Sequence, residues 1–236
     1  MQLKVRSWGS GPRTALLVHG FSDDSETWWR VSPAIADLGF TVLAPDLRGH
    51  GKSPRCSSYA LPEIAQDLVD SLPAEADVAL GHSLGAVVLG LAAERLRPRR
   101  AVFVDPSWLR PRGEVSLTAA LPLAPSDLPA ELGWSAAEVA VDLASNRRTD
   151  PLVATSLLAA LAPHEHIEPP PAPHPGALVL VPELSPVLPV AAHPVLAALG
   201  YEIRTLAGVR HVLHRDDFDG FMDLLRPDLL DGGIAA

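Results

Sequence analysis

Cysteine is almost missing from this chain: Cys56 is the only one in 236 residues. An intrachain disulfide is excluded, and the signature of an oxidising compartment is absent. Long apolar runs are missing too. No stretch of eighteen or more apolar residues occurs, which excludes a spanning helix, and Gln2 to Trp8 alternate like a strand instead of forming the apolar core of a signal peptide. The expected location is cytoplasmic. A basic excess is also lacking: 19 Lys and Arg stand against 28 Asp and Glu, a formal net charge of −9. That balance argues against a nucleic-acid partner. The densest basic group, Arg95, Arg97, Arg99 and Arg100, falls where a helix is expected to end and suits its C-terminal dipole.

What is present fits one compact enzyme-sized unit. At 236 residues the chain can bury one sizeable core but not two full domains and a linker. Strand-like and helix-like segments alternate. Strands are expected near 2–8, 13–18, 40–44, 77–81, 100–104, 177–181 and 201–206, and helices near 27–37, 61–72, 84–96, 190–199 and 216–225. Such alternation predicts an α/β fold, a mostly parallel, doubly wound sheet covered on both faces. Continuously apolar runs such as Ala101-Val102-Phe103-Val104 and Ala177 to Val181 are what a buried parallel strand requires.

The most informative stretch is Gly81-His82-Ser83-Leu84-Gly85, which follows the apolar run Val78-Ala79-Leu80 and opens a run of helix formers from Ala86 to Arg95. Strand, tight turn and helix together make a nucleophile elbow, a strained bend that lifts a serine hydroxyl above the sheet. Glycine at 81 and 85 has a steric reason, since side chains there would crowd the neighbouring elements.

Three further segments accompany the elbow in order. His19-Gly20-Phe21 follows the strand Ala15 to Val18, Asp46-Leu47-Arg48-Gly49-His50-Gly51-Lys52-Ser53 follows Thr41 to Ala44, and Gly208-Val209-Arg210-His211 leads into Val212 to Asp217 near the far end. With these four segments the chain resembles the α/β-hydrolase fold superfamily over all but roughly residues 107–175. Compared with many members it begins one strand short.

The resemblance implies site residues. Ser83 is the nucleophile and His211, in the loop after the last strand, its base; His214 sits at the start of a helix and is read as structural. The oxyanion donors are the main-chain N–H groups of Leu84 and Phe21. The acid departs from the usual pattern. After the strand at 177–181, where it normally stands, the chain reads Val181-Pro182-Glu183-Leu184-Ser185-Pro186, with the uncharged Ser185 at the aspartate position. Some relatives, haloalkane dehalogenases among them, carry the acid after the preceding strand, and Asp105 occupies that place. Asp105 is the first choice and Glu183 the alternative.

Between the strands at 100–104 and 177–181 the pattern changes. The expected organisation is a core of 1–106 and 176–236 with a small helical lid inserted at 107–175. Ser135-Ala136-Ala137-Glu138 fits a capping box opening a helix to about Asn146, and Asp150-Pro151 a cap and first-turn proline before a helix at 152–161. Trp108 and Trp134 are expected to line an apolar substrate pocket above Ser83. Trp28 and Trp29 begin the helix after the oxyanion loop; Trp28 is counted with the pocket, although either could face the core. Ala162 to Pro175 is proline-rich and should run extended. His164, Glu165, His166 and His174 lie within it, where ordered backbone and supporting contacts for a metal are scarce. Neither metal nor cofactor is expected.

Dehalogenases and epoxide hydrolases of the resembling fold use aspartate at the elbow, so serine implies acyl transfer. The expected function is a carboxylic ester hydrolase acting on an ester, lactone or thioester with a largely apolar part. Alternatives are carbon–carbon bond hydrolysis or acyl transfer on the same triad, or a non-catalytic ligand-binding protein on a hydrolase scaffold.

Overall fold

The computed structural model describes residues 1–109, 133–161, 167–172, 177–183, 185 and 187–230. Its strands are β1 (Val5–Trp8), β2 (Arg13–Val18), β3 (Phe40–Pro45), β4 (Val78–His82), β5 (Arg100–Val104), β6 (Leu178–Pro182) and β7 (Glu202–Leu206). They form one sheet in the order β1-β3-β2-β4-β5-β6-β7. Every pairing is parallel except that of β1 with β3.

Side chains alternate across the sheet with the two-residue period of a strand. Leu16, Val18, Ala79, Phe103 and Val179 enter one core with helices α2 (Leu61–Ser71) and α3 (Leu84–Leu96). Ala15, Leu17, Leu80, Val102 and Leu178 enter the other, with Trp28 and Ile35 and, from the C-terminal helix, Phe221 and Leu225. Both faces are covered, so the central strands are apolar throughout.

Helix α1 (Val31–Asp37) is shorter than the sequence predicts. Asp24 caps a separate 3-10 turn over Ser25–Trp28 by accepting from Glu26 N–H, and the chain re-enters helix with Pro33 in the first turn, where proline is tolerated. Between β5 and β6 lie α4 (Ala136–Arg148), capped by Ser135 through the Glu138 N–H, and α5 (Pro151–Leu161), whose preceding Asp150 accepts from Leu152 N–H. After β6 come α6 (His193–Ala198), α7 (Leu213–Asp216) and α8 (Phe218–Leu230). No helix among the described residues is long and apolar enough to cross a membrane, and Cys56 is a free thiol.

β2 is flanked by β3 on one side and β4 on the other, so strand order reverses there. In an open α/β sheet, ligands bind beyond the carboxyl ends of the strands at such a point. His19, Ser83, Asp105 and Glu183 directly follow or close β2, β4, β5 and β6 at that edge.

Candidate active site

The elbow is built by β4 running straight into α3. Ser83 stands between them at φ +52°, ψ −115°, a conformation sparsely populated for any residue with a side chain and held here by its surroundings. Its N–H bonds to the Val104 carbonyl at 2.9 Å, extending the β4–β5 ladder into the turn. A Cβ on Gly81 would come within 2.5 Å of the Gly85 carbonyl oxygen, and one on Gly85 would collide with the Val18 carbonyl. The turn can close this tightly only with glycine at both positions.

His211 arrives from the loop between β7 and α7. Its Nε2 is 3.0 Å from Ser83 Oγ and its Nδ1 is 2.7 Å from Asp105 Oδ2. A carboxylate can only accept, so Nδ1 carries the proton and Nε2 is left to receive one from the serine. Asp105 is fully buried, sits at φ +42° just past β5, and is anchored by its N–H on the Leu180 carbonyl at 2.8 Å. Its second oxygen, Oδ1, accepts from Ser185 Oγ at 2.5 Å. Glu183, the alternative acid, is exposed and points its carboxylate to the Gly208 N–H at 3.3 Å, away from this array.

Leu84 is the first residue of α3, and an amide there has no intrahelical acceptor. Phe21 follows a loop held by His19, which donates from Nδ1 to the Gly20 carbonyl at 2.8 Å and accepts the Leu47 N–H on Nε2 at 2.9 Å. The Leu84 amide thus opens a helix, and Phe21 follows a loop that His19 holds in place.

The three tryptophans counted with the pocket pack as follows. Trp108 is fully buried, its ring among Phe103, Tyr201 and Gly90 on the α3 side of the sheet. The chain turns back at Pro106 (Trp108 N–H to the Pro106 carbonyl, 2.8 Å), and the indole packs into the core. Trp28 is likewise buried, stacked on His214 at 4.6 Å in the opposite core, while Trp29 is exposed. Trp134 is half-buried; its Nε1–H donates to Asp216 at 2.7 Å and its ring lies under Arg215. None of the three stands in contact with Ser83 or His211 through a hydrogen bond or ring contact among the described residues. His164, Glu165, His166 and His174 lie outside the described residues, and among those described no three His, Cys, Asp or Glu side chains group as a metal site would need.

Four residues around the site carry more than the sequence signalled. His82, inside the elbow motif, is buried and donates from Nε2 to the His211 carbonyl at 2.9 Å. Burial, and then the neighbouring His211, push its pKa down to about 3. Arg215 is buried and ion-paired with Asp23 at 2.6 Å and with Asp142 of α4. Burial alone would raise the Asp23 pKa, but the Arg215 guanidinium draws it below the usual carboxylate value. Arg148, at the end of α4, bonds Asp24 at 2.7 Å and Glu26 at 3.1 Å. The fourth is Ser185 itself, at the place where the acid is usually found.

A family model described as alpha/beta hydrolase family matches residues 15–224. Among curated proteins, the chain is 38% identical over 131 residues to epoxide hydrolase A of Mycobacterium tuberculosis (strain ATCC 25618 / H37Rv), covering 51% of this chain and 40% of that protein. It is 34% identical over 113 residues to lipase LipV of the same organism, covering 45% of this chain and 42% of the lipase. Both alignments span less than half of the relative's length. Among solved structures, an epoxide hydrolase of Bacillus megaterium in complex with an inhibitor superposes with a TM-score of 0.78 at 16% identity, over 96% of each chain. That likeness is one of fold.

Proposed function

The chain belongs to the alpha/beta hydrolase family, and from that premise we propose that it is a serine hydrolase cleaving a carboxylic ester, lactone or thioester through an acyl-enzyme. The observation that carries this reading is the continuous array Ser83 Oγ, His211 Nε2 at 3.0 Å and His211 Nδ1 to Asp105 Oδ2 at 2.7 Å. In the first half-reaction Ser83 Oγ attacks the carbonyl carbon as its proton passes to His211 Nε2. The oxygen becomes an oxyanion facing the N–H groups of Leu84 and Phe21, and the tetrahedral intermediate collapses as the imidazolium protonates the departing alcohol or thiol. Water then repeats the sequence on the acyl-enzyme, which releases the acid and frees the serine. Asp105 stays ionised and holds the imidazole in the productive tautomer.

Epoxide opening is the second reading, favoured by the name of the relative epoxide hydrolase A. The residue at 83 weighs against it. A carboxylate nucleophile opens an epoxide to an ester, which activated water can hydrolyse; a serine alkoxide would leave an ether, for which this array offers no route of release.

The segment 107–175 acts in this reading as a lid that shapes the acyl and alcohol sites. Support comes from its ties to the core: Arg148 to Asp24, Arg215 to Asp142, and Asp150 to both the Gly49 carbonyl (2.7 Å) and Tyr59 Oη (2.6 Å). No metal or cofactor takes part in the proposed steps, and the substrate is a small, largely apolar ester-type molecule.

The test is covalent. A fluorophosphonate probe should add once to the wild type, at Ser83 by peptide mapping, and Ser83→Ala should lose both the adduct and the hydrolysis of a short-chain aryl ester. Folded wild-type protein whose intact mass is unchanged after prolonged exposure would remove the serine nucleophile.

A further inference from the structure

We propose that Ser185 is a positioning residue for the catalytic acid, holding Asp105 through a hydroxyl whose proton has nowhere else to go. The inference rests on the reading of Ser83, His211 and Asp105 as a triad. A serine hydroxyl has one proton and two lone pairs. Ser185 Oγ accepts the Val187 N–H at 3.1 Å and the Leu188 N–H at 2.7 Å, which occupies both lone pairs. The remaining proton lies on the line to Asp105 Oδ1, 2.5 Å away. The hydroxyl is thus committed as a donor, and two amides pulling on its oxygen make it a stronger one.

Asp105 needs such a donor. Its side chain is fully buried, and His211 engages only Oδ2. A buried carboxylate with an oxygen unpaired is costly, and one free to rotate would not hold the imidazole in line. Ser185 fills the second oxygen and fixes the carboxylate plane. It comes from the loop after β6 and Asp105 from the end of β5, and these strands are adjacent and parallel. The loop after β6 therefore takes part in the site without supplying a charge.

A bland role competes: the two amide bonds alone form a local serine turn over 185–188, and the hydroxyl's approach to Asp105 would then be incidental. Three variants separate the two. Ser185→Thr keeps both turn and donor. Ser185→Ala loses both. Ser185→Asp keeps acceptors for the turn amides but, when ionised, has no proton to give and sets a second negative charge beside Asp105.

The measurements are the second-order rate of fluorophosphonate labelling at Ser83 from pH 5 to 9, and the low-field proton NMR signal of His211 Nδ1–H. Expected are a threonine variant within about twofold of wild type, and an alanine variant slower on the order of tenfold at the high-pH plateau, as befits one lost hydrogen bond to a charged group. The aspartate variant should be at least as slow as alanine, with its acid limb moved to higher pH because the added carboxylate keeps His211 protonated. The low-field proton should keep its position in the threonine variant and shift in the other two. Aspartate and alanine variants with wild-type rates, limbs and proton position would overturn the proposal, and should alanine fail to fold, the threonine and aspartate pair decides. The NMR arm needs no turnover, so a wild type that fails to label removes the serine-hydrolase reading while the proton signal still judges Ser185.

Discussion

His82 Nε2 lies 2.9 Å from the main-chain carbonyl oxygen of His211, so the residue just before the elbow serine holds the loop that delivers the base. The two rings are 4.8 Å apart. With its pKa pushed down to about 3, chiefly by burial, His82 is neutral near pH 7 and would place no positive charge against the imidazolium of the proposed acylation step. His82→Ala should therefore lower kcat by up to about tenfold, the worth of one neutral hydrogen bond, with KM changed much less. His82→Gln, whose amide can still donate to the carbonyl, should recover part of the loss. Equal kcat for all three proteins would show that the loop needs no such tether.

The strand positions and the elbow were legible because each rests on local pattern: apolar runs for buried strands and glycines at a sharp turn. His211 and Asp105 were named through the resemblance, as a histidine after the last strand and a carboxylate directly after an apolar strand. Arg215 was not. Its partner Asp23 is 192 residues away in sequence, and no local pattern announces a pair closed only by the fold. The packing of Trp108 was not legible for a related reason. An indole just past a strand end can face a pocket or fold back, and only the turn at Pro106 together with the space over Gly90 decides. Ser185 was noticed as a missing charge, while its role as donor depends on two amides two and three residues ahead.

Arg215 joins the loop after β2, the helix that follows His211, and α4, through Asp23, Asp142 and the more distant Glu138. Removing one partner of a buried ion pair leaves the others uncompensated, at a cost of about 3–5 kcal/mol. Arg215→Ala should lower Tm by on the order of 10 °C at this chain length. Asp142→Asn should cost less, since burial already raises that carboxyl's pKa and eases its neutralisation. Thermal melts of the two variants check the order; an unchanged Tm for Arg215→Ala would mean that the guanidinium is solvated in the folded protein.

Stability should fall on acidification well before the carboxylates titrate. His50 and His82 are each pushed from 6.5 down to about 3, burial being the first cause, and His214 is pushed well below 6.5 for the same reason. Below pH 6.5 the unfolded chain binds protons at these sites that the native state refuses, so stability is full above 6.5 and is lost as pH drops toward about 3. Each such histidine contributes at most about 1.4 kcal/mol per pH unit in that window. Asp24 and Asp142, whose carboxyl pKa values burial raises, act in the opposite sense and reduce the slope. The urea midpoint at pH 5 should thus lie clearly below that at pH 7, and His50→Gln should flatten the difference. A midpoint that rises on acidification would contradict the neutral, buried state of these rings.

The choice of acid is the sharpest test of the triad. Asp105→Asn keeps volume and much of the hydrogen bonding but turns an obligate acceptor into a group that can present an N–H to His211, which favours the wrong imidazole tautomer. The fold should survive, and kcat should fall on the order of 10² or more, less than or similar to the drop of about 10⁴ known for the corresponding change in a serine protease. Glu183→Gln should leave kcat within about twofold, because that side chain is exposed and a lone exposed interaction is worth little. Its single described contact, the Gly208 N–H at 3.3 Å, can be kept by the amide oxygen. Adding Ser185→Asp to Asp105→Asn returns a carboxylate to within hydrogen-bond range of residue 105, at the position where the family usually carries it, and should regain part of the rate. A Glu183→Gln variant that loses activity while Asp105→Asn turns over normally would transfer the acid's role to Glu183, and the 2.7 Å contact between Asp105 and His211 would then be structural only.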